Sequence, residues 1–260
     1  MPKISIGVRY GNSNFNKKIC SDEDWGFWGL HNGVNKYIEY QITKQDSKSK
    51  VEHLDLNFYY RLLDFDEDLV RQIRSSSQKR TIFDELLIER LSLDIFAGYQ
   101  SQKGRYNMLD PMTEYWRIVD GTLWYATGLP SDVGLDSFYE VHYKGPRFGI
   151  RAEGSRGKVT TRCSLAYALL TTEAYGWWNI RDYTFEQEGE NGYGLDIETE
   201  MTYKFNSNFS FGLGFDYFFH RQKKLKESGN LAGSVYSGLD IIRNVDSKIY
   251  SPSIILKYIW

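Results

Sequence analysis

Along its length the chain alternates apolar and polar residues with a period of two, a pattern that suits β-strands with two chemically different faces and little else. In NFSFGLGFDYFF, Phe209, Phe211, Leu213, Phe215, Tyr217 and Phe219 share one face, while Ser210, Gly212, Gly214 and Asp216 take the other. In LDIETEMTYKF, Leu195, Ile197, Met201, Tyr203 and Phe205 oppose Asp196, Glu198, Glu200 and Lys204. The pattern returns with Leu54, Leu56 and Phe58 against Asp55, Asn57 and Arg61, and with Leu91, Leu93 and Ile95 against Ser92 and Asp94. The closing run IYSPSIILKYIW aligns Tyr250, Ile254, Leu256, Tyr258 and Trp260 and finishes on an aromatic.

Such runs predict eight strands, near residues 3–12, 50–63, 90–107, 136–154, 157–173, 190–206, 208–222 and 247–260. The connectors at 154–157 and 206–208 are tight, whereas 13–49, 108–135, 174–189 and 223–246 are long, so short and long connectors alternate. That is the order of a barrel with short periplasmic turns and long extracellular loops. Only 64–89, beginning DFDEDLVRQIRSSSQKR, breaks it; the spacing of Leu69, Ile73, Leu86 and Leu87 predicts short amphipathic helices in a periplasmic insertion.

The 260 residues fit one domain, 1–260, and no stretch approaches the roughly 20 apolar residues of a membrane-spanning helix. A mean hydropathy of −0.51 is compatible with a barrel in lipid, where only alternate residues meet hydrocarbon. The fold expected is all-β, an antiparallel up-and-down transmembrane β-barrel in the bacterial outer membrane, with outer-membrane lipid as its partner. A soluble ligand-binding barrel alternates too, with its apolar face inward. A porin or adhesin-type barrel is a third reading, with function in the ionic interior or the loops.

The net charge of −2 argues against a nucleic-acid partner. Neither Cys20 nor Cys163 has metal-ligand spacing, and His31, His53 and His142 form no ligand pair, so no metal and no cofactor are assigned. No basic segment followed by an apolar one precedes MPKISIG, so an export signal is not present in this chain.

In SDEDW, Asp22 and Asp24 stand two apart, which in extended chain places both on one face about 7 Å apart. Paired carboxylates raise each other's proton affinity and can hold or activate a water; acidic residues in loops also cap turns and stay solvated.

MPKISIG followed by SDEDW resembles the third strand and paired aspartates of the omptins, the outer-membrane aspartate/histidine proteases. AGYQ at 97–100, KGPRFGI at 144–150, LAY at 165–167 and LKYIW at 256–260 follow in the family's order, so the resemblance spans the chain. It implies a ten-stranded barrel whose groove at the extracellular rim takes peptide or protein substrates and cleaves at basic residues, with lipopolysaccharide as a lipid activator. It also implies an aspartate pair facing an aspartate and a histidine across a water, the histidine acting as general base. Asp22 and Asp24 match the first pair.

The second pair should follow LAY as Asp-x-His, but the chain reads GWWNIRDYTF at 176–185. Asp182 is the nearest match, a retained site carboxylate or a solvated loop charge, and Thr184 stands where the histidine belongs. His220 shares parity with Ser210 and Asp216, which predicts an inward side chain near the upper end of its strand: within reach of the rim, or a satisfied interior histidine. Eight strands stand where the resemblance implies ten. The expectation is an omptin-like barrel with degenerate or lost endopeptidase activity; the rival is an active endopeptidase using His220 in a rearranged site.

Overall fold

The computed structural model describes residues 3–27, 38–76, 88–119, 122–127, 136–179, 183–231 and 234–258. Their elements are β1 (Ile4–Phe27), β2 (Ile38–Phe65), α1 (Glu67–Ser76), β3 (Arg90–Val119), β4 (Thr122–Thr127), β5 (Asp136–Arg156), β6 (Val159–Trp178), β7 (Tyr183–Lys204), β8 (Phe209–Leu231) and β9 (Ser234–Tyr258). The sheet order is β1-β2-β3-β5-β6-β7-β8-β9, antiparallel throughout, with the short β4 paired to β3 alone. Eight long strands thus run up and down in one curled sheet, as the alternation predicts.

Both tight turns have a local cause. Gly157 sits at φ 54° between β5 and β6, where a Cβ would be strained. Between β7 and β8, Asn206 Oδ1 accepts the backbone N–H groups of Asn208 and Phe209, each at 2.9 Å. Helix α1 falls within the predicted 64–89 insertion and is capped by Asp66 Oδ1, which accepts the Leu69 N–H at 2.9 Å. Its buried apolar residue is Val70, whereas Leu69 is exposed; Leu86 and Leu87 lie outside the described residues.

The four long connectors require correction. Most of 13–49, 108–135, 174–189 and 223–246 is strand, continued from the predicted runs into tall hairpins. Strands of 20 to 30 residues far exceed the roughly 9–11 needed to cross hydrocarbon. Above that level the outer face is no longer apolar, while the inner face stays buried with polar as well as apolar side chains, such as Ser137, Gln187 and Glu227, so nothing selects an apolar residue at every second position. The pairing continues while the pattern that reveals it stops, as in Lys223-Lys224-Leu225-Lys226-Glu227.

The two faces divide as a membrane barrel requires. Leu54, Leu56, Phe58 and Tyr60 are exposed on the outside of β2, whereas His53, Asp55 and Asn57 are buried on the inside. The same holds for Leu213 and Phe215 against Gly212 and Phe218 on β8, and for Leu165, Tyr167 and Leu169 against Ser164, Ala166 and Ala168 on β6. A soluble barrel would have the large apolar chains inside. The apolar band ends where the outward row turns ionic: Glu52, Lys103, His142 and Glu173 are consecutive cross-strand partners. Ion pairs from Lys103 to Glu140 (2.8 Å) and from Lys144 to Glu173 (2.5 Å) mark the same border.

Inside, the core is ionic rather than apolar. Arg147 and Asp55, at 1% and 0% exposure, pair at 2.5 Å. Arg9 also meets Asp55 at 2.5 Å and Glu198 at 2.7 Å, and Arg147 meets Glu198 at 3.1 Å, so two guanidinium groups share two carboxylates from opposite sides of the curl. His53 Nε2 lies 2.8 Å from Asp55. A second tier closes the lower end: Arg61 and Arg151 flank Asp94 at 2.8 and 2.6 Å, and Arg162 bridges Glu153 and Glu200. Only above the ions does an apolar cluster form, around Val141, Tyr143, Ala168 and Leu170.

Two outcomes follow from these contacts. Replacing Arg147 by Met leaves the buried Asp55 and Asp196 and the half-buried Glu198 with one cation fewer, and is expected to lower unfolding free energy in detergent by about 3–5 kcal/mol. Adding Asp55→Asn should cost less than the sum of the singles in urea titrations, because the two groups share one interaction. At the ionic border, burial and then the charge of Lys144 hold His142 below the usual histidine value, and the Lys144 hydrogen bond holds Glu173 below the usual carboxylate value. A depressed histidine weakens the fold as pH falls below the unfolded value near 6.5, where the unfolded chain takes up the proton first; the glutamate's contribution is lost as pH falls through its own lowered value. Lys144→Ala should therefore raise both midpoints in an NMR titration; unchanged midpoints would contradict the assignment.

Candidate functional site

Asp22 and Asp24 lie on the distal part of β1, in register with Thr43 and Gln41 of β2. The ladder slips between Asn16 and Lys18, and this bulge reverses which β1 residues align with which β2 series. Below the slip Arg9 pairs with Asp55 and Gly11 with His53; above it the even-numbered Asp22 and Asp24 fall in with the odd-numbered series that carries those inward residues. Strict parity counted from Ile4 would have placed the aspartates with Ile6 and Val8. A one-residue slip exchanges the faces, so the bulge determines which series the pair joins.

Asp182 lies outside the described residues, but both flanks of its segment are anchored. Asn179 Oδ1 accepts the Ser137 hydroxyl at 2.8 Å and the Asp136 N–H at 3.1 Å. Across the gap, the Tyr183 hydroxyl donates to Glu227 at 2.7 Å, Gln187 Nε2 donates to the other Glu227 oxygen at 2.6 Å, and the Tyr139 hydroxyl donates to Gln187 at 3.0 Å. Phe185 stacks between Tyr139 and Tyr183. This inward cluster on β5, β7 and β8 was not legible in the sequence: the even-numbered inward series of β7, Gly194, Asp196 and Glu198, passes to the odd-numbered Phe185 and Gln187 across a bulge near Asn191, so parity counted from Asp196 points to the wrong face.

His220 is inward, as its parity predicts, and fully buried. Its Nε2 lies 3.2 Å from Asp196 Oδ1 and 2.9 Å from the Gln100 amide, with the Tyr143 ring at 5.4 Å. The expectation that it sits near the upper end of its strand is corrected: β8 continues eleven residues beyond it to Leu231. Gln100 and Arg9 are both register partners of Asp55, so His220 touches the row that contains Arg9. Asp22 stands thirteen residues further along β1, roughly 40 Å of extended chain, whereas a general base acts over about 3 Å or through one water. The structure therefore does not bring His220 and Asp22 together; His220 is an interior histidine held through Nε2, and its buried Nδ1 has no hydrogen-bond partner among the described residues.

His53 belongs to the same interior network, His142 faces outward, and His31 lies outside the described residues. Cys163 is a free, exposed residue on β6. Among the described residues no group of three or more His, Cys, Asp or Glu side chains could hold a metal ion, and no helix is long and apolar enough to cross a membrane.

No family model matches the sequence, and no curated protein aligns with it. Among solved structures, the crystal structure of the outer membrane protease OmpT from Escherichia coli is similar, with a TM-score of 0.68 over 99% of this chain and 79% of that one. Identity is 13%, so the likeness speaks for architecture and not for chemistry. The eight-stranded curl, with its inward ions, outward apolar band and tall distal hairpins, has the fold of an omptin-like barrel.

Proposed function

We propose that the chain is an outer-membrane β-barrel that keeps the omptin aspartate pair, Asp22 and Asp24, on its distal wall but lacks omptin-type proteolysis. The observation that carries this reading is the position of His220. A histidine with an aspartate partner does exist, but it is held between Gln100 and Asp196 in the ion-paired interior, far along the strands from the pair. The segment where an Asp-x-His motif belongs has Asp182 and Thr184 instead. A threonine hydroxyl has no basic lone pair at neutral pH and cannot take a proton from an attacking water as imidazole does.

The outward apolar band supports membrane residence, and its ionic upper border supports an orientation with the tall hairpins, Asp22 and Asp24 outside the cell. In that orientation α1 and the tight turns face the periplasm. The interior favours a plugged barrel over a porin: Arg9 and Arg147 span the curl to Glu198, Gln102 donates to Ser247 across it at 3.0 Å, and Gln100 meets His220. These crossings leave the ions paired with one another rather than lining an open channel. The distal hairpins are then the surface available to peptide or protein partners, with lipopolysaccharide as the surrounding lipid.

The test joins location and chemistry. The refolded chain should float with liposomes and resist carbonate extraction. In lipopolysaccharide it should cleave a dibasic fluorogenic peptide no faster than its Asp22→Ala variant. Turnover that Asp22→Ala or His220→Ala abolishes would overturn the inactive reading, and conductance steps in planar bilayers would overturn the plugged interior.

A further inference from the structure

Strand pairing is interrupted along one line that crosses the sheet from β5 to β9. Between β5 and β6 the register passes from Lys144–Thr171 to Arg147–Ala168. Between β6 and β7 it passes from Thr172–Gly189 to Leu170–Gly192, a bulge that sets Thr171 against Glu190 and Asn191. Between β7 and β8 it passes from Glu188–Lys226 to Tyr193–Arg221, so 189–192 and 222–225 have no register partners across that pair. Between β8 and β9 it slips again at Lys224. β3 and β5, by contrast, pair continuously through the same level, at Gln100–Gly145 and Tyr99–Pro146. The line lies directly below the ionic border marked by Lys144, Glu173 and Glu188, the register partner of Glu173.

The interruption is built rather than frayed. Asn191 and Lys224 both take φ 61°, a left-handed conformation that disfavours any residue with a Cβ. Inward positions change there from odd to even along β7 and from even to odd along β8. Gln222 fills the opening: its side chain lies over Gly189 and Gly192, its Nε2 donates to the carbonyls of Glu190 and Lys223 at 2.8 and 2.9 Å, and its Oε1 accepts the Thr172 hydroxyl at 3.1 Å. One buried amide thus stands in for the missing ladder between β6, β7 and β8. On β5 the line meets Pro146, which has no N–H to pair, and Gly145, against which the Leu169 carbonyl packs so closely that no Cβ fits. Backbone strain of this kind persists only where surrounding structure enforces it, and it clusters in segments that switch.

Each side of the line is cross-linked within itself. Below it stand the arginine–carboxylate pairs of the interior. Above it Tyr139, Gln187, Glu227 and Tyr183 form one hydrogen-bonded chain across β5, β7 and β8, and Asn179, just past β6, accepts the Ser137 hydroxyl of β5. We propose that this line is a hinge, and that the distal ends of β5 to β9 are a stiff wall that leans toward and away from distal β1 and β2, where Asp22 and Asp24 stand. The lean changes the width of the space open to a polypeptide partner between the two walls. The proposal rests on the reading that the distal hairpins stand in water above the bilayer.

Nitroxide labels report the motion in the full chain refolded into phosphatidylcholine liposomes. One pair sits at Lys50 of β2 and Glu186 of β7, both exposed, and a second at Leu56 and Met201 within the apolar band. Pulsed electron–electron distance measurement should give a bimodal or broadened distribution for the distal pair and a single narrow one for the lower pair. Lys224→Gly removes the left-handed penalty and should shift the distal populations roughly fivefold toward the distance of the present structure. Gln222→Ala removes the bridging amide and should shift them the opposite way. A static bulge predicts one narrow distal distance, indifferent to Lys224→Gly, and that result overturns the proposal; the unsubstituted chain decides alone where Gln222→Ala does not refold. Flotation of the same liposomes is read separately: a chain that does not float defeats the membrane reading and this proposal together, whereas one that floats with a rigid distal pair defeats the proposal alone.

Discussion

The fold depends on guanidinium groups that must find carboxylates in a place without bulk water. Arg9 and Arg147 come from strands far apart in the chain and meet the same pair, Asp55 and Glu198. A buried charge that loses its partner is strongly destabilising, so this geometry admits little slack. Strand pairing alone makes a ribbon that can be flat or curled. The contact from β1 across to β7 sets how tightly it curls, because Glu198 must come within hydrogen-bond reach of an arginine five strands away in the sheet order. The apolar exterior does not fix the curvature, since lipid accepts apolar side chains at any radius.

That division explains what the sequence made legible. Where one face meets acyl chains and the other meets ions, each position is selected for one of two environments, and runs such as Phe209 to Phe219 state the strand, its faces and its depth together. Above Glu52 and Lys103 the outer environment is water, both faces accept polar residues, and the period of two fades although the ladder continues. Strand ends were therefore underestimated at the distal side and found to within two residues at the tight turns, where Gly157 and Asn206 carry conformational signals of their own. The buried Val70 of α1 was missed for a related reason: one short helix against a sheet buries too few residues for helical spacing to single one out.

The candidate site was legible in composition and illegible in geometry. SDEDW marked the aspartates, but whether they share the series of Arg9 or that of Val8 depends on a bulge at Lys17 that no alternation reveals. Parity correctly turned His220 inward, yet parity carries no depth. Depth came from cross-strand register, which is a property of pairs of strands and cannot be counted along one.

His220 also shows why a histidine–aspartate contact is not by itself a catalytic signature. Both groups are fully buried, the same imidazole nitrogen meets the Gln100 amide, and Tyr143 covers the ring. A general base must act on a water that reaches substrate, and an imidazole with no exposed surface cannot be approached by a peptide. What the pair does provide is tertiary connection: Asp196 on β7 is held between His220 on β8 and Arg147 on β5, and Gln100 ties β3 to the same point. Four strands meet there, so the imidazole belongs to the network that fixes the curl, and any chemistry at Asp22 and Asp24 has to find its proton acceptor on the distal hairpins.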